Sequence, residues 1–237
     1  MAENSAIDVH VITVTAKDND TAPGNAALKY SLDVVDMFKV DETTGEITVN
    51  KEGLDYEKDS VYVVTLTATD GAGATATTQI GSKGIDVNEN PIIISDGIAN
   101  IKEHQPIGTP VDTLIADDYD KFNPDFRKNK FVAIDGDTTL FAITKKGVIT
   151  TKVELNYEEY EKDGKTEFAL IVKLVDEKDP TLFDLDTISI SLLNVNEPPE
   201  FIFYDKDSVP ENSVGGYVID TLFAHDTDGD AKIIRYE

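Results

Sequence analysis

The 237 residues exceed what one ordinary β-sandwich domain needs and fall short of three, so two domains and part of another fit best. With 46 Asp and Glu against 21 Lys and Arg the formal charge is -25, which repels phosphate backbones and anionic lipid; nucleic acid is disfavoured and divalent cations are the natural partners. With no cysteine the chain can build neither a disulfide framework nor a thiolate zinc site, and no apolar run approaches the roughly 20 residues that span a bilayer, so direct membrane insertion is not expected.

In chain order, the polar Ala2-Glu3-Asn4 after Met1 holds no signal-peptide core, and the sequence reads as a segment of something longer whose export signal lies upstream. Val9 to Ala16 (VHVITVTA) is the first predicted strand. Val61 to Ala68 (VYVVTLTA), a half strand in Ile92 to Ile101, Phe168 to Val175 (FALIVKLV), Thr187 to Leu193 (TISISLL) and a second half strand in Phe201 to Val209 follow. Many alternate with period two, are rich in β-branched and aromatic residues, and are bounded by Gly, Asp, Asn and Pro clusters. This pattern predicts an all-β sandwich and not βαβ units, with no long amphipathic helix.

Internal repetition is the strongest signal. Glu3-Asn4-Ser5 precedes Ala16-Lys17-Asp18-Asn19-Asp20, Glu103-His104-Gln105 precedes Ala116-Asp117-Asp118-Tyr119-Asp120, and Glu211-Asn212-Ser213 precedes Ala224-His225-Asp226-Thr227-Asp228. Fifteen positions separate the Glu from the first shared Asp each time, and the copies start 100 and 108 residues apart, the size of one immunoglobulin-like sandwich. Phe38-Lys39-Val40 before Thr44-Gly45-Glu46-Ile47 matches Phe141-Ala142-Ile143 before Lys146-Gly147-Val148-Ile149, and Leu54-Asp55-Tyr56-Glu57 matches Leu155-Asn156-Tyr157-Glu158. Each full copy then has a strand ending in an acid, Asp70 or Asp176. It closes on Asp86-Val87-Asn88-Glu89-Asn90-Pro91 or Asn194-Val195-Asn196-Glu197-Pro198-Pro199. The expected division is a first repeat at 1–90 without its first half strand, a second at 91–198, and the N-terminal fragment of a third at 199–237. Two strands in that fragment would leave exposed edges.

In this order the motifs resemble those of cadherin repeats: a Glu after the first half strand, an Ala-x-Asp-x-Asp loop, a Leu-Asp-x-Glu loop, a late Ala-x-Asp and an Asp-x-Asn-Asp-Asn-x-Pro linker. The resemblance covers nearly the whole chain. It implies tandem Greek-key, immunoglobulin-like β-sandwiches, located outside the cell or at its surface, with Ca²⁺ between successive repeats and a role in binding or adhesion rather than catalysis. The chemistry agrees, because Ca²⁺ takes roughly 6 to 8 oxygen ligands from carboxylates, amide and backbone carbonyls and water. At the first junction the resemblance sets Glu3, Asp55, Glu57, the Val87 carbonyl, Asn88, Glu89 and the Asn90 carbonyl against Asp118, Asp120 and Asp176, with Glu89 where the family usually has Asp. At the second it implies Glu103, Glu158, the Val195 carbonyl, Asn196 and Glu197 with Asp226 and Asp228. Asn156 replaces an expected Asp there, Pro198 replaces the linker's last Asn, and the third repeat's late Asp falls beyond Glu237, so weaker or incomplete occupancy is expected. Asp18, Asp20 and Asp70 would serve a preceding repeat.

Other readings stand beside this one. Asp and Asn in sandwich loops also form Asx turns, and acidity alone serves solubility. Only His10, His104 and His225 are present as imidazole bases, and each reads as a surface or loop residue, so no enzyme is expected. The expected partners are the neighbouring repeats, then another cell-surface protein, a second copy, or polysaccharide, a calcium-dependent carbohydrate-binding repeat being the alternative function. The Val-Asn-Glu linker, the lack of Cys and the acidity look more like bacterial surface or secreted arrays than animal ones. With no Trp, the tryptophan-inserting strand exchange of animal adhesive cadherins is not expected. Tyr119 to Phe131 (YDKFNPDFRKNKF) offers Tyr119, Phe122 and Phe126 to a sugar or a partner, unless Phe122, Phe126 and Phe131 fold back on the core.

Overall fold

The computed structural model describes residues 1–21, 24, 26–33, 36–202, 208–218 and 223–228. Among them the chain forms β1 (His10–Thr13), β2 (Lys29–Leu32), β3 (Phe38–Val40), β4 (Glu46–Val49), β5 (Val61–Thr69), β6 (Thr75–Lys83), β7 (Pro91–Ile94), β8 (Ile98–Lys102), β9 (Pro110–Thr113), β10 (Ile115–Asp118), β11 (Asn129–Gly136), β12 (Phe141–Ile143) and β13 (Val148–Thr151). A six-residue helix α1 (Tyr157–Lys162) precedes β14 (Glu167–Asp176), β15 (Phe183–Leu193), β16 (Glu200–Ile202) and β17 (Phe223–His225). The chain divides into two compact units. One joins Met1–Ile92 with Asp117–Asn129 and Val175–Asp184; the other joins Ile93–Ala116, Lys130–Leu174 and Leu185–Glu237.

In the first unit one sheet has the order β1-β4-β3 and the other β2-β5-β6. The period-two pattern of β5 turns Val64, Leu66 and Ala68 inward and leaves Val61 and Val63 exposed. Antiparallel pairing sets Ala68 opposite Tyr30 and Leu66 opposite Leu32, so β2 buries the same face. Phe38 of β3 and Ile47 and Val49 of β4 close the core from the other sheet, with Leu54 beside them. Each fully buried side chain of this size contributes about 1.5–3 kcal/mol relative to exposure. The predicted alternation of Val9 to Ala16 fails in β1. A register shift between His10 and Ile12 exposes Val9 and Ile12, while Val11 and Val14 pack on the core.

The second unit repeats the plan, with sheets ordered β11-β14-β15-β8 and β12-β13-β9. Phe168, Leu170, Val172 and Leu174 alternate inward from β14, joined by Ile188, Ile190 and Leu192 from β15 and by Phe141 and Ile149 from the facing sheet. β8 lies parallel to β15, with Ile98 opposite Ser189 and Lys102 opposite Leu193, whereas β12, β13 and β9 pair antiparallel. Two sheets around one core, with the opening strand parallel to the last, give an immunoglobulin-like Greek-key sandwich. The half strand expected over Ile92 to Ile101 is β7 and β8, interrupted at Gly97 (φ 70°). The half strand expected over Phe201 to Val209 is seen only as β16, which pairs antiparallel with β17; residues 203–207 lie outside the described residues.

The matched Thr-Gly-Glu-Ile and Lys-Gly-Val-Ile motifs are β-turns before β4 and β13. Gly45 and Gly147 have φ of 70° and 87°, and their carbonyls accept from the Val14 and Leu114 amides at 3.0 and 2.9 Å. A Cβ on Gly147 would lie 2.6 Å from the Leu114 carbonyl oxygen and 2.9 Å from the Phe131 ring. Gly147→Ala should therefore lower stability by at least about 2 kcal/mol in urea unfolding. Gly164→Ala, with φ of 66° but open space at its Cβ, should cost only about 1 kcal/mol; equal effects would mean the close approach is not rigid.

Candidate metal centres

Each acid cluster is built outward from one buried glutamate. Glu3 is 5% exposed; its Oε2 accepts from the Tyr56 amide at 2.7 Å and its Oε1 from the Val87 amide at 2.8 Å. Glu103 is 1% exposed and makes the same two bonds, from Tyr157 at 2.6 Å and Val195 at 2.7 Å. These bonds join the segment that carries the glutamate, the Asp/Asn-x-Glu loop and the linker. The following residue, Asn4 or His104, turns the chain with a positive φ of 52° or 54°.

In the first unit, Glu3, Asp55 and Glu57 offer carboxylate oxygens within 4.8 Å of one another, and Glu57, Asp86 and Asp120 do the same. Both oxygens of Glu57, Oδ1 of Asp86, Oδ1 of Asp120 and both side-chain polar atoms of Asn88 are buried with no hydrogen-bond partner among the described residues. Asp120 Oδ2 accepts from the Glu89 amide at 2.8 Å, and the Asp120 amide donates to Asp118 Oδ1 at 3.0 Å. Asn129 Nδ2 donates to Asp118 Oδ2 at 2.8 Å, and Asp176 stands fully buried with Oδ2 unpartnered. Burial, then the charge of Glu3, pushes Glu57 up to about 7. Asp120 is likewise pushed up to about 7, chiefly by burial, with Asp118 and Asp86 adding to it. Burial also raises Glu89, whose Oε1 accepts from Asn4 Nδ2 at 2.7 Å. Val87 is fixed through its amide, and Asn90 is exposed just before β7. Buried anionic oxygens without donors must take up a proton or a cation, and an all-oxygen set of this kind suits a hard divalent ion.

The second unit copies the wiring with fewer charges. The Glu197 amide donates to Asp228 Oδ2 at 2.7 Å, and the Asp228 amide to Asp226 Oδ1 at 3.2 Å. Glu158, Glu197 and Asp228 gather within 4.8 Å, and burial followed by the charges of Glu103, Glu197 and Asp228 raises Glu158. Asn156 Oδ1 caps α1 by accepting from the Glu159 amide at 2.8 Å, Asn194 Nδ2 donates to Glu158 Oε1 at 3.1 Å, and Asn196 bonds the Glu197 carbonyl. Asn194 stands where the first cluster has Asp86, a second lost charge beside Asn156.

Asp86, Asn129 and His104 also join these clusters; the sequence motifs assign none of them a ligand role, His104 being expected as a surface or loop residue. Asp86 lies inside the quoted linker, but its counterpart is Asn194, so comparison of the copies hides it. Asp18, Asp20 and Asp70 also come within 4.8 Å of one another, on a more open surface. In the aromatic segment Phe131 is buried in the core and Phe126 lies under Lys178, whose Nζ is 3.8 Å from the ring centroid. Tyr119 and Phe122 stay exposed, at 55% and 67%.

Fold and clusters together define a tandem β-sandwich protein with repeated acidic sites at the loop ends. Residues 1–88 match the cadherin domain family model. The chain is 32% identical over 241 residues to mouse Protocadherin Fat 4, covering 95% of this chain and 5% of that one, and 30% identical over 259 residues to mouse Cadherin-7, covering 99% and 32%. It superposes on mouse Cadherin-23 EC22-24 with TM-score 0.62 at 27% identity, covering 82% of this chain and 61% of that chain. The chain is a cadherin-type tandem repeat segment of the extracellular or cell-surface kind. It spans a third or less of these two curated relatives. Cadherin-type repeats are non-enzymatic, and no described helix is long and apolar enough to cross a membrane. The relatives named are animal proteins, so the comparison with bacterial arrays gains no support.

The two kinds of buried glutamate respond oppositely to neutralisation in EDTA. Glu103→Gln removes an acceptor from a buried amide and should lower unfolding stability by about 1–3 kcal/mol. Glu158→Gln removes a buried carboxylate with one oxygen that has no donor among the described residues and should be neutral or stabilising; a loss as large as that of Glu103→Gln would show that Glu158 is satisfied without a cation.

Proposed function

We propose that this chain is a calcium-binding extracellular adhesion segment, with repeats at 1–90 and 91–198 and the start of a third at 199–237. In this reading Glu3, Asp55, Glu57, Asp86, the Val87 carbonyl, Asn88, Glu89, the Asn90 carbonyl, Asp118, Asp120 and Asp176 hold Ca²⁺ at the first junction. Glu103, Glu158, the Val195 carbonyl, Asn196, Glu197, Asp226 and Asp228 hold a cation at the second. The observation that carries it is the set of donorless buried oxygens on Glu57, Asp86 and Asp120. Bound Ca²⁺ would supply the positive charge that these oxygens lack and fix neighbouring repeats against one another, so that the array serves cell–cell or cell–matrix contact.

Thermal unfolding in EDTA and then in millimolar calcium tests the ion. At a hundredfold excess over Kd the gain is about 2.7 kcal/mol. The midpoint should rise with calcium, and Asp118→Ala with Asp120→Ala should abolish the part of the rise due to the first junction. No shift removes calcium from the mechanism and leaves the fold.

The second junction should be the weaker for calcium, because Asn156 and Asn194 replace acids. Asn156→Asp with Asn194→Asp should raise its calcium affinity by about tenfold, an increment of about 1.4 kcal/mol, read by calorimetric titration. Unchanged affinity would mean that those two positions do not face the ion. Calcium-dependent aggregation of coated beads reads homophilic contact. The polysaccharide alternative has no specific observation in its favour, since exposed Tyr119 and Phe122 suit a protein partner as well.

A further inference from the structure

His104 occupies the position that Asn4 holds in the first copy. Asn4 donates its amide to Glu89. His104 meets the matching Glu197 with a ring nitrogen: Nε2 is 3.1 Å from Glu197 Oε1 and 3.4 Å from Glu103 Oε2, and Nδ1 is 3.4 Å from Glu154 Oε1. Glu103, His104 and Glu197 each offer a donor atom within 4.8 Å of the others. Donors about 3.3 Å apart form the edge of a tetrahedron whose centre is about 2.0–2.1 Å from each, the distance of zinc from His nitrogen and carboxylate oxygen.

A second observation independently calls for a cation here. Glu158 and Asp228 are 8% and 3% exposed, and Glu158 Oε2 and Asp228 Oδ1, grouped with Glu197, have no hydrogen-bond partner among the described residues. Among those residues the ion pairs of Glu103 and Glu197 are with His104. An imidazolium would bring a single positive charge to a neighbourhood that gathers Glu103, Glu154 and Glu197 with Glu158 and Asp228 grouped on Glu197, whereas a divalent ion brings two. A neutral ring can instead donate Nδ1–H to Glu154 and give its Nε2 lone pair to a divalent ion. The site has also lost two hard oxygen charges, at Asn156 and Asn194, while gaining a nitrogen, and that exchange moves preference from calcium toward borderline transition metals.

We propose that the second junction is a mixed nitrogen–oxygen site for a borderline divalent cation of the zinc class. Glu103, His104 and Glu197 are its ligands, and Glu154 orients the imidazole. The proposal rests on reading the acid clusters as cation sites and changes the ion at one of them.

The test is titration of the whole 237-residue chain with Zn²⁺, and with Co²⁺ as a visible-absorbing substitute, at saturating calcium. Zn²⁺ should bind without being displaced by millimolar calcium, Co²⁺ should show the absorption of a nitrogen-ligated ion, and the His104 ring resonances should move with Zn²⁺ and not with Ca²⁺. His104→Asn installs the side chain that the same backbone carries at Asn4, so the fold is retained. It should weaken Zn²⁺ binding by more than about tenfold, and Glu154→Gln by about tenfold. His225→Ala, in the same roughly 390 Å³ groove, should leave the affinity within about twofold. In the first copy, Asn4→His should add a Co²⁺ absorption that wild type lacks. Unchanged Zn²⁺ affinity in His104→Asn, or displacement of Zn²⁺ by millimolar calcium, overturns the proposal. Zinc binding through His104 without any calcium-dependent unfolding shift overturns only the calcium reading, and failure of both ions overturns both.

Discussion

The paired hydrogen bonds from two backbone amides to one buried glutamate are the constraint on which the functional end of each sandwich depends. Glu3 and Glu103 are each closed on both oxygens by an amide of the acidic loop and an amide of the linker. Two N–H dipoles at each carboxylate take the place of hydrogen bonds to water that burial removes. Burial first, and then the nearby Glu3 or Glu103, raises Glu57 and Glu158 above the usual carboxylate range. One residue thus locates three chain segments and creates the electrostatic deficit among them.

The two cores and the acid clusters have opposite character. Phe141, Ile149, Leu170, Ile188 and Ile190 are almost completely buried and mutually packed, and the strands around them alternate as their sequence asks. At the clusters, local rules are broken: anionic oxygens are gathered, desolvated and left without donors. A chain that is consistent elsewhere and frustrated at one set of loops marks those loops as the place where something else completes the structure.

Much of this was legible in the sequence because its signals are local or repeated. β5 and β14 follow from period two, and the recurrence of the Glu and Asp loops placed most cluster members before any geometry. What was not legible depends on pairings distant in sequence or on differences between copies. The parallel alignment of β8 with β15 has no local signature. β1 loses its alternation to a bulge, and α1 is a single short helix set by the Asn156 cap within a loop motif read only for its acids. Asn129 reaches Asp118 from a segment read for its aromatic residues. Of those aromatics, Phe131 went to the core, Phe126 under a lysine and Tyr119 to solvent, outcomes that composition cannot separate.

Comparison of the copies separates what the repeat needs for folding from what it offers to an ion. The amide-to-glutamate bonds, the left-handed residue after them and the linker-amide-to-aspartate bond occur in both units with nearly the same lengths. The side chains that complete the donor set do not: Asp55, Asp86 and Asn4 in one become Asn156, Asn194 and His104 in the other. Backbone donors hold the scaffold, so side-chain donors can change without disturbing it, and Asn156 even turns its lost charge into a helix cap. The same frame can therefore present a highly charged all-oxygen set in one copy and a less charged set with a ring nitrogen in the next, the difference lying in three substitutions on the three segments that the buried glutamate joins.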